Sequence, residues 1–457
     1  MIGGTTSHAG KSWMTTAICR HLRQRGLRVA PFKAQNMSNN SYPCPGGGEI
    51  GRAQVAQAEA CGLEPHPDFN PILLKPTSDM GSQVVLHGQV WKNLRAREYY
   101  THFDYLFSEV LAAYERLAAR FDYVVIEGAG SVAELNLKSR DLVNLNLARA
   151  VSAPALLVSD IDRGGIFAAI IGTIHLLEPE ERAMVRAFAV NRFRGDPSLF
   201  EDGVKILEAK SGKPCLGVFP YLREFTIDEE DGVSVEDRSS TDSDVAVIKF
   251  PRISNVTDFR LLPGAAWITR PVDRQFATIF LPGTKSTLPD LTWLRAQGLD
   301  VWIREQHARG ARVVGVCGGY QMLGGLILDP TQSDSELTQG EGLGLLPALT
   351  TMAAVKTTRT VKAATPSGIS FAAYEIHMGQ SVSGCEPFAF VDGRPEGARR
   401  GNVFGTYLHG ALEDHAVLSE LLGRPVAAMP TKDEAYDGLA RWFASNANLQ
   451  LFEEQFL

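Results

Sequence analysis

No apolar run in this 457-residue chain reaches the roughly 18 residues that a membrane-spanning helix needs, and the first residues lack the apolar core of a secretion signal. Basic charge is also short. The 45 lysines and arginines face 52 acidic residues, a net charge of -7, so the broad basic face of a nucleic-acid binder is absent. The six cysteines, at 19, 44, 61, 215, 317 and 385, form no CxxC pair, which excludes a zinc cluster of the usual spacing and a disulfide framework. Internal repeats and low-complexity tracts are missing as well. These absences leave a cytoplasmic protein with small-molecule partners and neither a nucleic-acid nor a membrane partner. Self-association into a homo-oligomer stays open. Any anionic ligand must be met by a local site.

At this length two or three domains are expected. Short apolar runs at 123–126, 155–158 and 187–190 alternate with helical segments, and 245–248, 278–281 and 313–316 repeat the pattern. Residues 236–244, rich in Asp, Glu and Ser, cannot bury apolar surface and read as a linker. The fold class is therefore α/β, with two doubly wound, mostly parallel-sheet domains at 1–235 and 245–430. A helical tail at 431–457 is expected to pack back on the second domain.

In the second half, Val314-Gly315-Val316-Cys317-Gly318-Gly319-Tyr320 places a cysteine between a strand and a helix start, with Gly315 and Gly319 two residues to either side. That is the spacing of a strained elbow that exposes a nucleophile above an α/β sheet. A helix N-terminus favours the thiolate that attacks a carbonyl. Cys317 is the candidate nucleophile. His409, at the end of the strand-like run Asn402-Val403-Phe404-Gly405-Thr406-Tyr407-Leu408, is the candidate base, able to protonate a leaving amine afterwards. His377 is the runner-up, and His415 reads as a helix-surface residue.

The first half opens on Gly4-Thr5-Thr6-Ser7-His8-Ala9-Gly10-Lys11-Ser12. Such a loop cradles phosphates on backbone N–H groups, its lysine reaches the terminal phosphate and its serine binds magnesium. Gly4, Thr5, Gly10, Lys11 and Ser12 are the candidate phosphate ligands. The loop is one residue longer than the common spacing and resembles that of the dethiobiotin-synthetase-like branch. Glu127, at the end of the apolar run 123–126, is with Ser12 the candidate Mg2+ ligand. Only three residues precede Gly4, so the strand from which the loop hangs is expected to be short, whether because translation starts upstream or because part of a central strand is missing.

A cysteine that opens an amide and a site for ATP belong together in amide synthesis. A carboxylate must be activated, as an acyl phosphate, before ammonia can displace oxygen from it, and glutamine can supply the ammonia through a cysteinyl thioester. Several motifs carry a resemblance on this point: Pro31-Phe32-Lys33-Ala34-Gln35-Asn36-Met37-Ser38-Asn39-Asn40-Ser41, Glu49-Ile50-Gly51-Arg52-Ala53-Gln54, Leu74-Lys75-Pro76, Asp160-Ile161-Asp162-Arg163-Gly164-Gly165, Asn191-Arg192-Phe193-Arg194-Gly195-Asp196 and Arg252-Ile253-Ser254-Asn255. Over nearly its full length the chain resembles the cobyric acid synthase family of cobalamin biosynthesis. The resemblance implies a dethiobiotin-synthetase-like ATP domain fused to a class I glutamine amidotransferase domain. It implies ATP- and glutamine-dependent amidation of the b, d, e and g carboxylates of adenosylcobyrinic acid a,c-diamide. It also implies an oxyanion site at Gly283 and Gly318, and Asn191 as a reader of adenine. Lys33, Lys75, Arg163, Arg192 and Arg194 are candidates for phosphate or corrinoid carboxylates. Ordinary class I amidotransferases read His-x-Glu, whereas Gly410 and Ala411 follow His409, so a Cys–His dyad without a third member is expected, Glu413 being a poorly placed substitute. The alternatives are the sister a,c-diamide synthase or another carboxylate-amidating ligase, and, in a different class, a P-loop regulatory ATPase with an inactive amidotransferase-like module.

Overall fold

The computed structural model describes residues 1–78, 81–222, 243–427 and 429–457. All but Ser243 and Asp244 of the expected linker lie outside these residues.

In the first half, β1 (Ile2–Gly4) pairs in parallel with Ala155–Asp160, followed by Val185–Phe193 and Cys215–Pro220. On its other side a bridge from Ile2 to Glu127 joins the parallel pair Tyr123–Ile126 and Val29–Phe32. Alternation along the buried strands separates two cores. Leu156, Val158, Ala187 and Ala189 point to one face, and Ala155, Leu157, Phe188 and Val190 to the other. Helix α1 (Lys11–Gln24) covers the first face through Met14, Ile18 and Leu22, while Leu106, Val110 and Ala113 of the helix Phe103–Ala118 cover the second. The sheet is thus doubly wound, as the alternating apolar runs imply.

The second half holds a six-stranded sheet in the order Ala266–Ile268, Val245–Ile248, Thr278–Leu281, Arg312–Val316, Val403–Thr406 and Ala398–Arg400, parallel except for the last strand. A long antiparallel hairpin, Ala348–Ala364 with Ser370–Ser383, is added beside it. This hairpin has no counterpart in the apolar runs, because its first strand is rich in Thr and Lys and its second is interrupted by Glu375, His377 and Gln380.

The tail corrects one expectation. It is helical, at Lys432–Asn446 and Leu449–Phe456, but it packs on the first half. Tyr436, Leu439, Trp442, Phe443 and Phe452 complete the core over α1, Trp442 Nε1 donates to the Pro220 carbonyl at 3.0 Å, and Arg20 pairs with Asp437 at 2.7 Å. The physical reason is the apolar face that α1 leaves uncovered by its own sheet.

The two halves meet through residues 38–52, which run from the end of the Pro31–Ser41 motif to the start of helix α2 (Arg52–Cys61). The Ser41 N–H donates to Asn255 Oδ1 at 3.2 Å, and the Val256 N–H to Asn40 Oδ1 at 3.3 Å. Arg52 pairs with Glu413 at 2.9 Å, and Glu49 bonds both Lys75, at 2.7 Å, and Lys356 of the hairpin.

Candidate active site

The strand Arg312–Val316 delivers Cys317 to the sheet's C-terminal edge, where the helix Gly318–Leu323 begins at once. Turning a strand into a helix in one residue forces Cys317 to φ 52° and ψ −110°, a conformation of order 1–3 kcal/mol above the usual ones for a residue with a Cβ. The bonds that hold it there are Cys317 N–H to the Thr406 carbonyl, 2.7 Å, and Gln321 N–H to the Cys317 carbonyl, 3.1 Å. The glycines follow from the same turn. A Cβ on Gly319 would lie 1.9 Å from the Leu281 carbonyl oxygen, and one on Gly315 would lie 2.6 Å from the Gly319 backbone. Strand and helix therefore pack backbone to backbone.

His409 follows the neighbouring strand Val403–Thr406 and is fixed by paired backbone bonds to Tyr374, 2.9 Å each way, with the Tyr374 ring stacked on the imidazole at 5.3 Å. Its Nδ1 donates to Asp258 Oδ2 at 2.7 Å, and the Gly410 N–H donates to Asp258 Oδ1 at 2.7 Å. Both side chains are 1 % exposed. Here the expectation of a dyad fails: a carboxylate does stand behind the histidine. It comes from the turn Val256–Phe259, some 150 residues upstream, rather than from the position after the histidine. Glu413 is turned away to Arg52. Burial disfavours the imidazolium, but the charge and hydrogen bond of Asp258, aided by Cys317, push His409 up from 6.5 to about 10. Its Nε2 makes no hydrogen bond of good geometry, as is common before substrate draws a nucleophile and its base together.

A cavity of about 70 Å3 adjoins Cys317 and is lined from both halves, by Asn39, Ser41 and Lys75 of the first and by Lys285, Asp334 and Lys356 of the second. His377 also lines it, but both its ring nitrogens are engaged, Nδ1 at the Gly379 carbonyl and Nε2 toward Glu375, and its ring stacks on Tyr407 at 3.9 Å. Gly283 and Gly318 flank the same space. A Cβ on Gly283 would meet His409 Cε1 at 3.0 Å, and one on Gly318 would meet Thr284 Cγ2 at 2.6 Å. His415 begins the helix His415–Leu422, away from this group.

In the first half, the loop between β1 and α1 is held open by glycine. Gly10 has φ 91°, and a Cβ there would sit 2.1 Å from Asn191 Nδ2. Lys11 curls over the loop, donating to the Thr6 and Gly130 carbonyls at 3.0 and 2.9 Å. Two residues expected at the ligand have other partners. Thr5 donates its N–H to the Val158 carbonyl and pairs its hydroxyl with Ser159, and Asn191, expected at the adenine, donates to the Ala9 carbonyl at 2.9 Å and props the loop from behind. Ser12 Oγ donates to Glu127 Oε1 at 2.8 Å. Two oxygens at that separation span one edge of an octahedron with arms of about 2.0–2.1 Å, so the pair fits Mg2+. Burial works against a charge on Glu127, yet Lys33 at 3.0 Å, Ser12 and Gln57 hold it below the ordinary carboxylate range.

The basic residues offered as corrinoid contacts separate into two sets. Lys33 and Lys75 are buried and bonded to Glu127 and Glu49. Arg163 and Arg192 pair with Asp160, and Arg194 pairs with Asp162 at 2.6 Å while lying over the Tyr221 ring. These three remain accessible at the mouth of the first sheet. Among the described residues no cluster of His, Cys, Asp or Glu could hold a metal by itself, and no helix is long and apolar enough to cross a membrane.

Comparison with known proteins gives both halves a counterpart. Residues 1–235 match the family described as CobQ/CobB/MinD/ParA nucleotide binding domain, and residues 244–417 match the CobB/CobQ-like glutamine amidotransferase domain. Among curated proteins, the cobyric acid synthase of Dehalococcoides mccartyi (strain CBDB1) is 44 % identical over 444 residues, covering 91 % of this chain and 88 % of that protein. The cobyric acid synthase of Parabacteroides distasonis is 43 % identical over 480 residues, covering 98 % and 97 %. That of Carboxydothermus hydrogenoformans is 42 % identical over 488 residues, covering 99 % and 98 %.

Proposed function

Because this chain belongs to the cobyric acid synthase family, and is a glutamine-dependent amide ligase of cobalamin biosynthesis that uses ATP, we propose that it amidates the b, d, e and g carboxylates of adenosylcobyrinic acid a,c-diamide. The observation that carries this reading is the pairing, in one chain, of a strained Cys317 beside a His409–Asp258 couple with a phosphate loop whose Ser12 meets Glu127.

The Cys317 sulfur attacks the glutamine amide carbon, and the C–N bond breaks as His409 hands a proton to the departing nitrogen. Ammonia leaves, and water cleaves the thioester to glutamate, with His409 taking the proton back. Asp258 keeps Nδ1 protonated, so that Nε2 is the nitrogen that exchanges protons with sulfur and substrate. Gly283 and Gly318 would offer their backbone N–H groups to the oxyanion, as the family resemblance implies. The cavity's lysines and Asp334 suit the two charges of a free amino acid. In the first half, the acceptor carboxylate attacks the terminal phosphorus of ATP to give an acyl phosphate and ADP, and ammonia then displaces phosphate. Gly4, Gly10 and Lys11 hold the phosphates, and Mg2+ on Ser12 and Glu127 would neutralise charge on them. Arg163 and Arg194, which are exposed, and the half-buried Arg192 are the side chains we assign to the corrinoid carboxylates. Six free cysteines fit a cytoplasmic setting.

Mass spectrometry of the a,c-diamide incubated with the protein, ATP, Mg2+ and glutamine should show four successive exchanges of hydroxyl for amide. The Cys317→Ala variant should lose this with glutamine and retain it with ammonium salts, while Lys11→Ala should lose it with both. Amidation of cobyrinic acid in place of its a,c-diamide would reassign the chain to the sister synthase.

A further inference from the structure

Helix α2 belongs to the nucleotide-binding half, yet its two ends touch different sites. At its start Arg52, 2 % exposed, reaches across the domain boundary. Its Nη2 meets Glu413 Oε1 at 2.9 Å and Oε2 at 3.3 Å. Its guanidinium lies 4.7 Å from the Tyr42 ring centroid and 5.6 Å from that of Tyr374. Tyr374 is the ring stacked on His409 and the residue whose backbone is bonded both ways to it, and Glu413 lies four residues beyond that histidine in the turn Ala411–Glu413. Arg52 therefore contacts Tyr374, which holds the imidazole by ring and backbone, and Glu413, in the turn that follows the histidine. Lys432 adds a second cation to Glu413 at 3.4 Å.

Five residues further along the same buried helix, Gln57 Nε2 donates to Glu127 Oε2, on the carboxylate whose other oxygen meets Ser12 and Lys33. Five residues of helix are about 7.5 Å of rigid rod. Gln57 Oε1 is buried with no hydrogen-bond partner, so its amide is held on one side only and can re-bond when the charge around Glu127 changes. A displacement of Gln57 moves Arg52 with it, because a packed helix shifts as a body.

We propose that Arg52 is a positioning residue for His409, lent by the nucleotide-binding half, and that helix α2 makes the placement of that imidazole depend on what occupies Glu127. This rests on the reading of His409 as glutaminase base and Glu127 as part of the nucleotide site. Arg52 does not line the cavity beside Cys317; it acts through Tyr374 and Glu413.

The experiment uses the full chain with Arg52→Ala, Arg52→Lys and Glu413→Gln. For Arg52→Ala, kcat for glutamine hydrolysis should fall about a hundredfold, the loss expected when a catalytic group is misplaced by about 1 Å, with KM for glutamine little changed. Arg52→Lys should restore part of it, and Glu413→Gln should fall between. A second readout needs no turnover: alkylation of Cys317 by iodoacetamide, followed with and without ATP and Mg2+, should change rate with nucleotide in the wild type and not in Arg52→Ala. Ammonia-supported amidation within a fewfold of wild type certifies a folded nucleotide half. An unchanged kcat, a loss confined to KM, or a nucleotide response equal in variant and wild type would overturn the proposal. Failure of the wild type to hydrolyse glutamine at all would instead overturn the functional reading on which it rests.

Discussion

Asp258→Asn isolates what the carboxylate behind His409 contributes. The substitution keeps the volume of a side chain that is fully buried in the turn Val256–Phe259 and leaves an oxygen for the Gly410 N–H. What it removes is the charge 2.7 Å from Nδ1, and the new amide can donate to Nδ1 and so fix the proton on the wrong ring nitrogen. The rise of His409 from 6.5 to about 10 corresponds to roughly 5 kcal/mol in favour of the imidazolium, set by burial opposing it and Asp258 outweighing burial. Only the share realised in the transition state appears in the rate. A positioned acid–base group contributes about 10²–10⁴-fold, so glutamine-dependent kcat should drop by about that factor while ammonia-supported amidation persists. The pH profile gives a sharper criterion. In the wild type His409 stays protonated until about pH 10, whereas in the variant burial acts unopposed by Asp258, and the alkaline limb should move down toward or below 6.5. Stability follows the same sign. A folded value raised above the unfolded one stabilises fully below pH 6.5, and this contribution is lost as pH rises toward about 10, so the Tm gap between wild type and variant should narrow over that range. A variant with kcat within threefold of wild type, or with an unmoved alkaline limb, would refute the triad.

Two further predictions concern stability. Phe443 is fully buried between the tail and α1, packed near Phe219 and Phe452, so Phe443→Ala should cost about 3–5 kcal/mol and weaken ammonia-dependent as well as glutamine-dependent amidation, because the nucleotide half is the one that loses its cover. Calorimetry that assigns the loss to the amidotransferase half would contradict the packing. Glu396 is half-buried, and desolvation raises it to about 7 despite bonds from the Tyr407 N–H and the Thr406 hydroxyl. A carboxyl whose folded value lies above its ordinary 4.5 loses stability as pH climbs from 4.5 through 7, so Glu396→Gln should raise Tm more at pH 8 than at pH 5.

The sequence made legible whatever is encoded over a few neighbouring residues. Cys317 could be read because the elbow demands glycine at fixed offsets, and Ser12 and Lys11 because a phosphate loop must close on a helix. Asp258 could not, since the chain brings it to His409 only through the pairing of Ile253–Ser254 with Gly283–Thr284 and the docking of the turn that follows. Its one local signal is an acid three residues after the Arg252–Asn255 motif. The tail's helices were announced by the Thr431–Glu434 capping box and an apolar stripe, but a stripe does not name its partner. Lys33 and Lys75 sit in motifs that look electropositive, and nothing in the primary pattern distinguishes a cation presented to a ligand from one neutralised by Glu127 or Glu49.

That neutralisation bears on why the two halves are one chain. Burial opposes the charge on Glu49, and Lys356 and Lys75, one from each half, hold it ionised far below the carboxylate range, while burial lowers Lys75 to about 7 against the pull of Glu49. Separating the halves would take Lys356 away from Glu49 and leave Lys75 as the partner the first half itself supplies. The docked state is the one in which Asn39, Ser41 and Lys75 close the cavity beside Cys317. A glutamine pocket whose wall comes from the synthetase half exists only when that half is in place. A detached amidotransferase half would lack both that wall of the cavity and the Arg52 contact to Glu413.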